Sequence, residues 1–242
     1  MNSIQAIFMD VGNTLRVVVE DHDFIEQAKR DLLALLGEEG SDKDFYGGLD
    51  ARWAAYRKQA KETLAEVSEK ELWTKWLLPH FPVETVAPLS GELTRLLRNR
   101  GGRRVPRPDV KATIPELHRR GYGLGIIANT ITEREIPDWI ESEGLTVCFQ
   151  AVVLSSKVGM RKPNPEIFWE AARRVDIEPL RCAYVGDNPA YDVLGARGAG
   201  FGLTILMMEP ASLAKTPLTD ENRPDHMIQE MRELLDLFPP RG

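Results

Sequence analysis

Short apolar runs and amphipathic stretches alternate along much of this chain, and the order in which they come predicts its architecture. "IQAIFM" (residues 4–9) has the length and the apolar content of a short buried strand. From about residue 20 to 100 the pattern turns helical. In "FIEQAKRDLLALLG" the residues Phe24, Ile25, Ala28, Leu32 and Leu35 recur at helical spacing, and Gly37 suits a C-terminal cap. "DARWAAYRKQAKETLAEV" and "SEKELWTKWLLPHF" continue in the same style, the second opening with Ser68 and Glu71 spaced as a capping box. "ETVAPLSGELTRLLRNRG" closes the region. No strand-like alternation interrupts it, which predicts an all-helical insertion. Pro106 and Pro108 then mark a boundary, because each restricts its own backbone and the residue before it.

Beyond the boundary, strands and helices alternate. "DVKATIPELHRRG", "EREIPDWIESEGL", "NPEIFWEAARRV", "AYDVLGARGAG" and "IQEMRELLDLF" read as helices. "YGLGIIAN", "AVVLSS", "CAYVGD", "GLTILMM" and "DHMI" read as strands. Short apolar strands alternating with helices predict a parallel sheet covered on both faces. The expected fold class is therefore α/β: a Rossmann-like parallel sheet with helices on both faces, plus an inserted all-helical domain. The core would be residues 1–15 and 108–242, and the insertion residues 16–107. In open sheets of this kind ligands sit beyond the carboxyl ends of the strands.

Composition narrows the class of function. The chain has 242 residues, 43% of them hydrophobic and 28% charged, with a formal net charge of −6. That balance predicts no nucleic-acid partner, since such a partner calls for a basic face. Two cysteines, Cys148 and Cys182, make neither a disulfide framework nor a metal-ligand spacing. No apolar run approaches the roughly 18 residues of a membrane span, and no secretory leader pattern opens the chain. The expectation is a soluble, cytoplasmic protein with no membrane partner, a monomer or a homodimer.

The strand ends carry the chemistry. The first delivers Asp10, followed by Gly12, Asn13 and Thr14; the second delivers Ala128, Asn129 and Thr130. The third gives Ser155 and Ser156, with Lys162 soon after; the fourth gives Gly186 and Asp187, then Asn188 and Asp192. Asp10 and Asp187, arriving from different strands, can share a hard cation such as Mg²⁺, which takes oxygen ligands and often only one or two carboxylates. Lys162 is a compact positive charge that can hold a phosphate oxygen or steady a nucleophile. Backbone amides of Gly12, Asn13 and Asn129 can cradle an anion. A carboxylate beside a metal and a lysine can act as a covalent nucleophile. Taken singly, each residue has a plainer reading: Asp187 as a helix cap, Asp192 as a partner for Arg197, Lys162 as a surface charge.

Taken together, "DVGNTL", "GIIANT", "KPNPEIF" and "VGDNPAYD" resemble, in this order, the motifs of the haloacid dehalogenase-like hydrolases, in particular the phosphatase-rich group with a helical cap after the first motif. The resemblance covers residues 4–15 and 108–238 and implies a Mg²⁺-dependent phosphohydrolase acting on a small phosphorylated metabolite. It implies that Asp10 is the nucleophile, forming an aspartyl-phosphate. Asp10, Asp187 and the Gly12 carbonyl would hold the metal. Asp192 would orient metal-bound water or Lys162. Lys162 would offset charge on the transferring group, and Asn13 and Asn129 would contact substrate.

Two positions depart from the family pattern. Gly12 stands where the family carries its general acid/base aspartate, and Ala128 where it carries a phosphate-binding Ser or Thr. Loss of general acid–base help removes roughly 10²–10⁴ in rate. The expectation is a slow or specialised enzyme that favours leaving groups needing no proton, such as acyl phosphates, whose carboxylate leaves with a pKa of about 4. The alternatives are a catalytically impaired binding protein of the same fold, phosphonate cleavage, or dehalogenation. "VVEDHDF" places Glu20, Asp21, His22 and Asp23 as a possible replacement acid or, more plainly, a solvated helix start. Arg95, Arg98, Arg100, Arg103, Arg104 and Arg107 form either a solvated hinge or an attractor for an anionic substrate. Trp53, Trp73, Trp76 and Trp139 are expected in cores or interfaces.

Overall fold

The computed structural model describes residues 4–38, 42–209, 212, 216 and 218–241. Its centre is strand β1 (Ala6–Met9), which pairs in parallel with β4 (Gly123–Ala128) on one side and β6 (Cys182–Gly186) on the other. β5 (Phe149–Leu154), β7 (Leu203–Met207) and β8 (His226–Ile228) complete a six-stranded, fully parallel sheet of order β5-β4-β1-β6-β7-β8. The chain moves outward through β4 and β5, then crosses to β6 on the far side of β1. That reversal opens a crevice beyond the carboxyl ends of β1, β4 and β6, where ligands of such sheets bind.

Strand periodicity divides the core in two. Ile7 and Met9 point into one apolar cluster with Val110, Ile114 and Ile126. Ala6 and Phe8 point into the other, with Phe168, Tyr184 and Phe201. Helices α5 (Val110–Arg119), α6 (Glu135–Ser142), α7 (Pro165–Arg174) and α8 (residues 189–198) flank the strands. All four match helices read from the sequence. The closing stretch differs. "IQEMRELLDLF" yields two short turns, Met231–Glu233 and Leu234–Leu237, because Ile228 joins β8 and a Glu230–Glu233 capping box starts the helix only at 231.

The insertion has its own core. α1 (His22–Leu36), α2 (Asp42–Thr63), α3 (residues 69–77) and α4 (Ser90–Asn99) bury Leu32, Leu49, Trp73, Leu77 and Leu93 against one another. Asp21 caps α1 by accepting from Phe24 N at 3.0 Å, and Gly37 ends it in the left-handed region at φ 68°, where a glycine carries no Cβ penalty. Trp73 is fully buried, and its indole N–H donates to Thr94 Oγ1 at 2.8 Å. The capping box at α3 is only half formed. Ser68 accepts from Glu71 N, while the Glu71 carboxylate turns to Lys75 at 2.9 Å.

The all-helical reading of 16–107 is corrected at both ends. β2 (Arg16–Val19) and β3 (Arg103–Pro106) pair antiparallel, with Arg16 opposite Pro106 and Val18 opposite Arg104. Each is four residues long and pairs across the whole insertion, so neither shows the sustained alternation that marks a strand in sequence. The insertion also docks on the core directly. Glu66 N donates to Gly159 O, and Arg161 N to Leu64 O, both at 3.1 Å. Glu69 and Glu133 exchange bonds, each carboxylate accepting the other's backbone N–H at 2.9–3.0 Å.

Candidate active site

Asp10 leaves β1 at the mouth of the crevice, where its own N–H is tied to Val185 O of β6 at 2.9 Å. Lys162 reaches it from the loop before α7: Nζ lies 2.8 Å from Asp10 Oδ1, 2.6 Å from Asp192 Oδ1 and 2.7 Å from the Tyr184 hydroxyl. The Lys162 side chain is only 3% exposed, which excludes a surface charge. Asp192 pairs with Lys162, while Arg197 pairs with Asp225. The second oxygen of Asp192 accepts from Asn188 N at 2.9 Å, so both of its oxygens are held.

Gly186 makes this close packing possible. A Cβ there would stand 2.3 Å from Asp192 Cγ. Any side chain would push Asp192 off Lys162, so the glycine answers to a close approach rather than to a turn. Gly12 is different: a Cβ would meet only Asp10 Oδ2, at an ordinary 3.8 Å. Its lack of a side chain is not a packing requirement.

Asn13 adopts the left-handed region at φ 54°, which asparagine tolerates better than most residues. Its side chain donates to Asp187 Oδ2 at 3.0 Å, and its carbonyl accepts twice from Arg107. The expected substrate contact at Asn13 is thereby narrowed to its backbone. The same holds for Asn129, whose amide side chain both donates to Lys162 O (2.9 Å) and accepts from Lys162 N (2.8 Å). It clamps the lysine loop instead of facing outward.

Two carboxylates, Asp10 and Asp192, thus share one ammonium, with the charge of Asp187 nearby. Burial pushes the Asp10 carboxyl up to about 7, against the pull of Lys162 and with the charges of Asp192 and Asp187 adding to it. Asp187 is raised as well, first by burial and then by Asp192. Burial pulls Lys162 down, but Asp10 and Asp192 outweigh it and hold the ammonium above its ordinary value. The surplus of negative charge suits a cation. Among the described residues, no three His, Cys, Asp or Glu side chains gather as a ligand set on their own. The groups that could hold a cation here are the Asp10 and Asp187 carboxylates and the Gly12 carbonyl. That set suits Mg²⁺, which keeps several waters, and does not suit a soft metal.

Asp10, Gly12, Asn13 and Asn129 stand between two cavities. One, of about 180 Å³, contains Lys162, Asp187, Asn188 and Asp192. The other, of about 250 Å³, contains Arg16, Arg98, Arg104 and Ala128. A third cavity of about 460 Å³ runs on between the insertion and the core and shares Arg98, Arg104, Asn129 and Thr130 with the second.

Several participants were not found by sequence reasoning. Tyr184 receives Lys162 and donates to Ile127 O at 2.9 Å. Its signal is a hydroxyl inside an apolar strand, which must find a partner when buried. Buried Arg16 and half-buried Glu135, a pair at 2.9 Å, left no local signal. Glu66 gathers the Tyr56 hydroxyl, Ser155 Oγ (3.2 Å) and Arg161 (3.2 Å), fastening the insertion next to the Lys162 loop. Of the six arginines near the end of the insertion, Arg98 and Arg104 line both large cavities. Arg95 pairs with Glu92 and Arg103 with Asp21, away from them. The acidic cluster at 20–23 is a helix start: Asp21 caps, and His22 is exposed beside Glu20. The tryptophans behave as expected, with Trp139 buried beneath Arg16.

A family model described as haloacid dehalogenase-like hydrolase matches residues 4–200. The chain is 36% identical over 132 residues to glyceraldehyde 3-phosphate phosphatase of Methanopyrus kandleri, covering 54% of this chain and 56% of that protein. It is 27% identical over 232 residues to phosphoserine phosphatase of Thermus thermophilus, covering 85% and 90%. The match spans about half the length of the first of these relatives. Among solved structures, 2-haloacid dehalogenase from Pseudomonas syringae pv. Tomato superposes with a TM-score of 0.70 at 22% identity, covering 97% of each chain. No helix among the described residues is long and apolar enough to cross a membrane.

Proposed function

The chain belongs to the haloacid dehalogenase-like hydrolases, and from that membership we propose that it is a Mg²⁺-dependent phosphohydrolase of a small phosphorylated metabolite, working through an aspartyl-phosphate on Asp10. The observation that carries the reading is the Asp10–Lys162–Asp192 array at 2.6–2.8 Å, with Asp187 beside it, at the carboxyl edge of β1 and β6. The relatives named for glyceraldehyde 3-phosphate and phosphoserine support a small phosphorylated substrate. Buried, free Cys148 and Cys182 fit a cytoplasmic setting.

Asp10, Asp187 and the Gly12 carbonyl would hold Mg²⁺, which supplies charge neutralisation on the phosphoryl oxygens when bound. An Asp10 carboxylate oxygen attacks phosphorus, the phosphorus–oxygen bond to the leaving group breaks, and an aspartyl-phosphate forms. Lys162 balances charge on the transferring group. Asp192, held at both oxygens, keeps the ammonium aimed at Asp10. Water then attacks phosphorus, phosphate departs, and Asp10 is restored. Phosphate release in Mg²⁺, and its loss on adding a chelator that is reversed by Mg²⁺ alone, checks the metal requirement. Release that persists undiminished in chelator would reject it.

The absent acid at position 12 restricts the leaving group. The carboxylate of an acyl phosphate can depart unprotonated; the alkoxide of an alkyl phosphate cannot do so readily. A Cβ at Gly12 would meet only Asp10 Oδ2, at an ordinary 3.8 Å, so the backbone there accepts a side chain. Gly12→Asp is expected to raise hydrolysis of an alkyl phosphate by roughly 10²-fold or more, the ordinary worth of general acid–base help. A steady-state assay reads the change. An unchanged rate would mean that the missing carboxylate does not limit turnover.

A further inference from the structure

We propose that Arg16, Arg98 and Arg104 form a subsite for a second anionic group of the substrate, a carboxylate or a second phosphoryl group; this rests on the phosphohydrolase reading above and names its substrate class. The three guanidiniums come from distant parts of the chain and meet around a single carboxylate. Arg16 Nη1 lies 2.9 Å from Glu135 Oε1, Arg98 Nε bonds Glu135 Oε2, and Arg104 Nε lies 3.9 Å from Glu135 Oε1. Three positive charges face one negative charge, leaving two in excess. Glu143, the other carboxylate felt by Arg16, is paired with Lys111 at 2.6 Å.

The cluster is not a solvated face. The Arg16 side chain is 9% exposed, those of Arg98 and Arg104 about 20%. Arg16 Nε is buried and meets no hydrogen-bond acceptor. Its guanidinium carbon lies over the Trp139 ring, 5.1 Å from the centroid. Burial and the neighbouring Arg98 push Arg104 down to about 10 despite the pull of Glu135, the mark of like charges held together. Uncompensated buried charge is costly, and an incoming anion removes the cost.

Placement ties the cluster to the reaction. All three arginines line the cavity of about 250 Å³ that also holds Asp10, Gly12 and Ala128. Asp187 and Lys162 lie in the cavity on the other side of Asp10. A compact substrate with its phosphoryl group at Asp10 would present a second anion to the arginines. Guanidinium forks match both carboxylate and phosphate bidentately.

Isothermal titration in Mg²⁺ tests this with three non-hydrolysable probes: phosphonoacetate, methylenediphosphonate and ethylphosphonate. One or both probes that carry a second anionic group are expected to bind about tenfold or more tighter than ethylphosphonate, the scale of hydrogen bonds to charged groups. The first two probes tell a carboxylate from a second phosphoryl group. Arg98→Gln is expected to bring that preference close to one, and Arg98→Lys to retain part of it. Equal affinity of the unmodified protein for all three probes, or binding of none, overturns the proposal, as does an equal loss for all three in Arg98→Gln. The two readings fail separately: a binding preference without any phosphate release rejects the hydrolase and keeps the subsite. Phosphate release without the preference does the reverse.

Discussion

Asp10→Asn is expected to lower phosphate release by about 10⁴-fold or more while leaving the fold intact. The asparagine keeps an oxygen for Lys162 but offers no nucleophile, so the covalent route is lost outright. Stability should not fall with activity. Asp10 shares a single ammonium with Asp192 and feels the charge of Asp187, and burial already pushes its carboxyl up to about 7. Removing its charge relieves repulsion from Asp187 and Asp192, and Lys162 retains Asp192 and Tyr184. Thermal unfolding should give an unchanged or higher Tm. Full activity in the variant would mean that the observed release is not this protein's. No release from the unmodified chain with any phosphate ester, acyl phosphate or aryl phosphate would favour a binding protein of the same fold.

Lys162→Met carries the opposite signature, a large loss of stability. The ammonium is buried and accepted by Asp10, Asp192 and the Tyr184 hydroxyl within 2.8 Å. A methionine of similar length fills the space but leaves Asp192, only 2% exposed, facing no cation. Stranding one member of a buried ion pair costs about 3–5 kcal/mol. At about 2–4 °C per kcal/mol for a chain of this size, Tm should fall by roughly 6–20 °C. Calorimetry checks it. A drop below about 2 °C would mean that the carboxylates find other partners without difficulty. Because Asp10→Asn spares stability and Lys162→Met does not, the pair of variants separates the catalytic part of the array from its structural part.

How much of this was legible in the sequence depended on range. The strands of the sheet and the flanking helices were readable because an apolar run or a 3.6-residue period is a local property. Asp10, Lys162, Asp187 and Asp192 were readable because strand ends concentrate at one edge of a parallel sheet, and their order matches a known family. Strands β2 and β3 were not, since they are four residues each and acquire strand character only from a partner more than 80 residues away. Asn13 and Asn129 were read as substrate contacts with their backbone amides as an anion cradle; where their side chains turn was not legible. The fold turns their side chains onto Asp187 and the Lys162 backbone, choices made by neighbours brought together from 33 to 174 positions away.

The arginines mark the division most clearly. Their number near the end of the insertion is plain from the sequence, but sequence offers no way to divide hinge from subsite. Tertiary structure divides them: Arg103 is drawn to Asp21, and Arg95 to Glu92. Arg98 and Arg104 turn toward Glu135, where Arg16 joins them from the start of the insertion. By itself the sequence determined the α/β fold, the position of the carboxylates along it and the vacancy at Gly12. These follow from periodicity and from residue identity in a fixed order. Only the tertiary structure decided which charges are buried together, because the worth of a charge depends on burial and on partners that chain order does not reveal.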